Sequence, residues 1–148
     1  MIGFKRTGGL RYVSAQDPAL DRERSDVDKY ISTGDWDQYM RIREGMVPTV
    51  FHLRRLTRAQ FQAVSGMAAN LQQSAAVAYG VESVDNFQLA TGQMLIVKHV
   101  GDGEDRRLDV DTLNAMFSAD LFAELSLAIL GASRLDPLGG PPSASSRT

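Results

Sequence analysis

The side chains best suited to chemistry in this chain of 148 residues are two histidines and a short run of arginines. His52 and His99 lie on different predicted strands, and neither has a second metal-ligating side chain two or four residues away. A metal site would therefore need a tertiary contact between distant segments, and we predict no metal. A small enzyme built around both histidines and a carboxylate is kept as an alternative.

The motif-like runs of the sequence do not complete an enzymatic signature. Ser65 lacks both outer glycines of the G-x-S-x-G nucleophile elbow, and the run 101–106 lacks the last glycine of the dinucleotide fingerprint. The acidic residues of that run also have the wrong register for a calcium-binding loop. Because the chain has no cysteine, thiol catalysis, thiolate zinc sites and iron–sulfur clusters are excluded. We predict a non-enzymatic protein without a cofactor.

Three arginines, Arg54, Arg55 and Arg58, cluster where a predicted strand meets a predicted helix. A helix N-terminus can bind phosphate through its free backbone N–H groups. However, the chain has a formal net charge of −2, and Arg54 and Arg55 would point to opposite faces of a regular strand. No aromatic residue interleaves with the cluster. The pattern favours carboxylates of a protein partner, with nucleic acid as an alternative.

One tryptophan stands in a charged segment, between Asp35 and Asp37 and three residues before Tyr39. A ring beside two carboxylates is one way to build a sugar-binding platform. A lone tryptophan among charges is more typical of an anchor on a protein surface, because tryptophan and tyrosine are enriched at interfaces. We therefore predict Trp36 and Tyr39 to be interface anchors.

Residues 1–35 are predicted to form an extended N-terminal arm. Residues 1–47 carry 16 charged side chains, eight of each sign, whereas the whole remainder of the chain carries 18. Apolar residues are sparse in the arm, and Gly8–Gly9, Asp17–Pro18 and Gly34 interrupt it. Such a segment cannot bury enough apolar surface to order alone. We expect it to be flexible or to lie across a partner, with a short helix over 25–31 capped by Ser25.

Residues 36–133 are predicted to form a compact α+β domain, in which a small antiparallel sheet packs with two or three helices. Residues 38–56 are typical of a hairpin, with Phe51 and Leu53 on one face. A capping box from Thr57 to Gln60 begins a helix over 57–79, which Gly80 should end in the left-handed conformation. The alanine-rich end of that helix is expected to pack closely against another helix.

The second half of the domain is predicted to begin with a strand over 94–100, a turn at 101–103 and a short strand at 108–110. Two helical pieces follow within 111–133, capped by Asp111 and Ser118. Residues 121–130 are apolar except for Glu124 and Ser126, so this helix is either central in its domain or covered by another chain. The apolar residues predicted to form this interface or core are Leu121, Phe122, Leu125 and Ile129.

Residues 134–148 are predicted to form a C-terminal tail, because they are rich in proline, glycine and serine. The N-terminal run 1–6 lacks the apolar stretch of a signal peptide. The most apolar run, 121–130, is about half the length of a membrane span. We expect a soluble, intracellular protein that does not bind a membrane.

The order of these features resembles small proteins from the structural gene block of tailed bacteriophages, which include minor virion proteins and tail assembly chaperones. The resemblance extends over residues 17–135. Its elements are Asp17–Pro18 and Ser25–Asp26 in the charged arm, the run Pro48–Thr57, the alanine-rich helix, and the apolar helix that leads into a polar tail. It assigns no role to a particular residue.

This resemblance implies a non-enzymatic virion structural or assembly protein, which binds other phage structural proteins through its arms and its apolar C-terminal helix. The expected state is a multi-copy assembly, located in the host cytoplasm during assembly and then in the virion. One alternative is a tail assembly chaperone that is absent from the mature particle. Another is a small nucleic-acid-binding protein.

Overall fold

A computed structural model describes residues 10–135 of the chain. The predicted arm is therefore described from residue 10, and residues 136–148 of the predicted tail lie outside the described range. The strands are β1 Leu10–Tyr12, β2 Val50–Leu53, β3 Val81–Asp85, β4 His99–Val100 and β5 Arg107–Leu108. The helices are α1 Val27–Thr33, α2 Trp36–Tyr39, α3 Arg58–Ser65, α4 Ala69–Gly80, α5 Val110–Met116 and α6 Ala119–Leu135. The predicted α+β class, with a small antiparallel sheet packed against helices, is confirmed.

The main sheet has the strand order β1-β2-β3, and both pairs are antiparallel. Phe51 and Leu53 are buried on its inner face, as predicted, whereas Val50 and His52 lie on the half-exposed outer face. Strand β2 pairs with β1 and β3 and not with residues 38–43, so the predicted hairpin is wrong. Residues 36–39 form the one-turn helix α2, and Ile42 makes an isolated bridge to Leu20.

The segment 10–35 is packed into the core, which corrects the prediction of an extended arm. Strand β1 forms one edge of the main sheet, and Tyr12, Val13, Leu20 and Tyr30 are all buried. These side chains find their apolar neighbours far along the chain, so local composition underestimates what the segment can bury. The predicted short helix is present as α1, with Asp26 rather than Ser25 as its N-cap.

The predicted helix over 57–79 is two helices, α3 and α4, separated at residues 66–68. The capping box is confirmed, because Thr57 accepts from the Gln60 backbone and the Gln60 side chain accepts from the Thr57 backbone. Leu71, which follows the break, is exposed, so α3 and α4 do not present one continuous apolar side to the core. A side-chain amide spans the junction: Gln72 Nε2 donates to the backbone carbonyl of Val64.

Helix α6 lies at the centre of the molecule and packs mainly on α4, as the alanine-rich sequence of α4 predicted. Gly80 is important here for a different reason from the predicted left-handed cap. Its φ is not positive, but a Cβ atom at this position would lie 2.5 Å from Ile129 Cδ1. Glycine therefore permits the close approach of the two helices.

The predicted break before the last helix is confirmed, and α5 and α6 meet at a bend of 114°. Ser118 Oγ accepts a hydrogen bond from the Leu121 backbone N–H at 3.3 Å, as an N-cap does. The first piece is preceded by Asp109 rather than by Asp111. Within residues 94–100, only His99 and Val100 form a strand, which pairs with β5 around the predicted turn.

Candidate functional site

The predicted anchors Trp36 and Tyr39 lie one turn apart on α2, and both are half-buried. The Arg11 guanidinium stacks over the Trp36 ring at 4.6 Å, and Tyr30 meets the same ring edge-on at a centroid distance of 5.6 Å. Lys29 Nζ lies 6.0 Å from the Tyr39 ring. Each predicted anchor therefore packs on this chain and also presents a partly exposed ring beside a cation.

The three arginines do not form one exposed cluster. Arg54 Nε lies 3.2 Å from the Glu82 carboxylate, which also pairs with Arg106 at 3.6 Å. Burial lowers the pKa of Arg54 below its usual value, and Glu82 opposes that shift. Arg55 is half-buried, and Arg58 is exposed at the start of α3. The three arginines therefore lie in different environments: Arg54 is paired with Glu82, Arg55 is half-buried and Arg58 is exposed.

A small cavity lies where the ends of α1 and β2 meet helix α6, and Arg54 and Arg55 contribute to its lining. Its volume is about 40 Å³. Small-molecule sites usually measure roughly 300 Å³ or more, whereas one buried water needs only about 10–15 Å³. This cavity therefore has room for a few water molecules and is much smaller than a typical small-molecule site.

Three of the four apolar residues predicted on α6 belong to the core of this chain. Phe122, Leu125 and Ile129 are buried, and only Leu121 is half-exposed. Buried side chains cannot contact a partner unless the core opens, so their prediction as an interface is corrected to core. The helix was predicted to be either central in its domain or covered by another chain, and the structure supports the central position.

Glu124, a polar exception in this apolar helix, holds the N-terminal segment in place. Its carboxylate accepts hydrogen bonds from Tyr12 Oη at 2.5 Å, Ser14 Oγ at 2.6 Å and the Ala15 backbone N–H at 2.6 Å. Burial raises the pKa of Tyr12, and the hydrogen bond to Glu124 adds to that rise. Sequence spacing gives no indication of this contact, because it joins residues more than 100 positions apart.

His52 and His99 contact opposite ends of β3. His52 lies directly across from Ser83 in the β2–β3 pair. On the outer face of the sheet, its Nε2 lies 2.7 Å from Asp85 Oδ2. His52 is half-exposed and Asp85 is exposed, so solvent screens the attraction between the two side chains. His99 Nε2 lies 3.3 Å from the Val81 carbonyl oxygen. Among residues 10–135, no group of three or more His, Asp or Glu side chains could hold a metal ion.

An exposed surface that the sequence analysis did not select lies on the segment 94–100 and strand β5. Exposed and half-buried residues alternate from Met94 to Val100, as in an extended chain with one outward side. Met94, Ile96 and Val100 are 55%, 71% and 40% exposed. We call this surface the cationic apolar face, and its residues are Met94, Ile96, Lys98, Val100 and Arg107. The signal for it was the continuous apolar run 94–97 in a segment already predicted to be a strand, because an extended chain that covers the core on one side leaves every second side chain on the other.

Comparison of the chain with protein-family models, curated proteins and solved structures finds no match in any of the three. Over the part of the chain that the structure describes, no single helix is both long and apolar enough to cross a membrane.

Proposed function

We propose that this protein is a non-enzymatic subunit of a multi-copy assembly, of the bacteriophage virion type that the sequence resemblance implies. The observation that carries the proposal is the cationic apolar face. Three large apolar side chains along one extended segment remain exposed, although the chain buries a well-formed core elsewhere. Contiguous exposed apolar side chains are typical of protein-binding surfaces.

The predicted anchors support a second contact region in the same proposal. Trp36 and Tyr39 combine large rings with neighbouring cations, which is the residue chemistry of interface hot spots. The arginine cluster lends less support to the nucleic-acid alternative, because Arg54 is engaged by Glu82 within the chain. The proposed partners are therefore other phage structural proteins.

The test is quantitative mass spectrometry of native assemblies purified from the cells in which the protein is made. The proposal predicts this chain in mature particles at a constant number of copies per particle. A chain found only on assembly intermediates would instead favour the tail assembly chaperone. A chain that always purifies free of other proteins would overturn both.

A further inference from the structure

The cationic apolar face has a defined geometry, because the extended segment 94–98 leads directly into the short antiparallel pair of β4 and β5. Val100 lies directly across from Arg107 in the β4–β5 pair, so their side chains share one face. Lys98 and Ile96 precede Val100 at intervals of two residues and therefore point to the same side. The opposite side carries Leu95 and Val97, which pack against the core. The face is thus an apolar row that contains two cations.

Neither cation of this face has an ion-pair partner among residues 10–135. Asp109 follows β5, but only its backbone N–H contacts Lys98, by donating to the Lys98 carbonyl oxygen at 2.9 Å. Arg107 Nη1 donates to the backbone carbonyl of Asp105 at 2.7 Å, which satisfies one N–H without cancelling the charge.

We propose that the cationic apolar face binds a segment of a different protein in the assembly, one that carries apolar side chains and at least one carboxylate. The inference rests on the proposed function and adds the chemistry of the partner. A carboxylate would pair with cations that burial would otherwise leave uncompensated. A second copy docking by the same face would bring Lys98 and Arg107 close to identical charges, which is unfavourable. A nucleic acid could pair its phosphates with the two cations, but its charged backbone would then lie against the apolar side chains of Ile96 and Met94, which is unfavourable.

The first measurement uses lysine reactivity, because the chain has only three lysines. Acetylation of the isolated chain and of the native assembly, followed by mass spectrometry, compares the reactivity of Lys98 between the two states, whereas Lys29, which lies beside Tyr39, reports separately on the second proposed contact region. The inference predicts that Lys98 reacts at least about tenfold more slowly in the assembly, since burial of the interface excludes reagent. Equal reactivity of Lys98 in both states would overturn the inference while leaving the proposed function intact.

The second measurement identifies the partner group. A carbodiimide joins an amine to a nearby carboxylate without a spacer, so it should link Lys98 to an Asp or Glu of a different chain in the assembly. A link only to Asp109 of the same chain, or to a second copy of this chain, would overturn the assignment of the partner. If no assembly contains this chain, the proposed function and the inference fall together.

A matched pair of variants controls for folding. Ile96 and Leu127 are 71% and 73% exposed, so Ile96→Ser and Leu127→Ser remove similar apolar surface without opening the core. Ile96→Ser should reduce incorporation into the assembly about tenfold, which is the effect of losing one buried aliphatic side chain at an interface. Leu127→Ser should change incorporation by less than about twofold. Equal incorporation of the two variants would contradict the inference.

Discussion

The Glu124 carboxylate connects the N-terminal segment to the central helix through three short hydrogen bonds. A carboxylate on the inner side of an apolar helix is unfavourable unless its oxygens find donors. Tyr12, Ser14 and the Ala15 backbone supply those donors, so the polar residue also fixes the chain where it leaves the end of β1. The sequence indicated that Glu124 was exceptional, but its partners depended on the tertiary fold.

Glu124→Gln should therefore destabilise the protein. The amide cannot accept from all three donors, and the loss of a charge-assisted network of this kind costs about 2 kcal/mol. Urea unfolding followed by circular dichroism measures the change. Asp120→Asn, an exposed change one turn earlier on the same helix, should cost less than about 0.5 kcal/mol. Equal effects of the two changes would show that the network does not stabilise the fold.

Two buried tyrosines predict a loss of stability at alkaline pH. Burial raises the pKa of Tyr12 and of Tyr30 above the usual value near 10. The folded state therefore keeps the two phenol protons at a pH where the unfolded state releases them. The contribution of these tyrosines to the free energy of unfolding is fully present below pH 10 and is lost as the pH rises beyond it. Urea midpoints measured between pH 8 and pH 11.5 should fall above pH 10. Tyr30→Phe should flatten that decline, and an unchanged slope would contradict the assignment.

At the scale of elements, the contact between α4 and α6 depends on the absence of a side chain at Gly80. A methyl group there would overlap several atoms of Ile129, which is itself buried. Gly80→Ala should cost about 1 to 3 kcal/mol, as overpacked cores do. Thermal unfolding of this variant should be compared with Gly66→Ala, whose added Cβ atom meets only ordinary contacts at 3.6 and 3.7 Å. Gly66→Ala should be neutral or slightly stabilising, and a neutral Gly80→Ala would refute the packing argument.

Elements specified by local side-chain chemistry were predictable, and elements specified by distant packing were not. The capping box at Thr57 and the cap at Ser118 gave correct helix starts, because both act within a few residues. The continuous helix over 57–79 was wrong, since α3 ends at Gly66 and Ala68 is extended before α4 begins. Arg54 was predicted as an interface contact, but its partner Glu82 lies on a strand whose pairing the sequence did not reveal.

At the scale of the whole molecule, residues 10–35 are part of the folded unit. Tyr12, Val13, Leu20 and Tyr30 join one core cluster with residues of α4 and α6. A fragment that contains only residues 36–148 should therefore lack a cooperative thermal transition, because it loses four large buried side chains and one strand of the sheet. Circular dichroism melting of fragment and full chain tests this. A fragment that melts cooperatively near the midpoint of the full chain would restore the interpretation of residues 1–35 as an arm.

The molecule is a folded unit whose polar contacts stabilise its own structure, and we propose that its cationic apolar face binds a partner. Both histidines, Arg54 and Glu124 each contact another residue of the chain. The face on 94–100 and β5 differs, because its apolar side chains are exposed and its cations are unpaired within the described residues. This contrast is the basis for proposing binding rather than catalysis.

Hydrogen–deuterium exchange of the isolated chain and of the native assembly tests that account most directly. We predict that backbone amides in residues 94–108 exchange at least about tenfold more slowly in the assembly, because a bound segment protects the extended chain beneath it. Core amides of α4 and α6 should change little by comparison. Unchanged exchange over 94–108, with protection confined to other surfaces, would contradict the central claim.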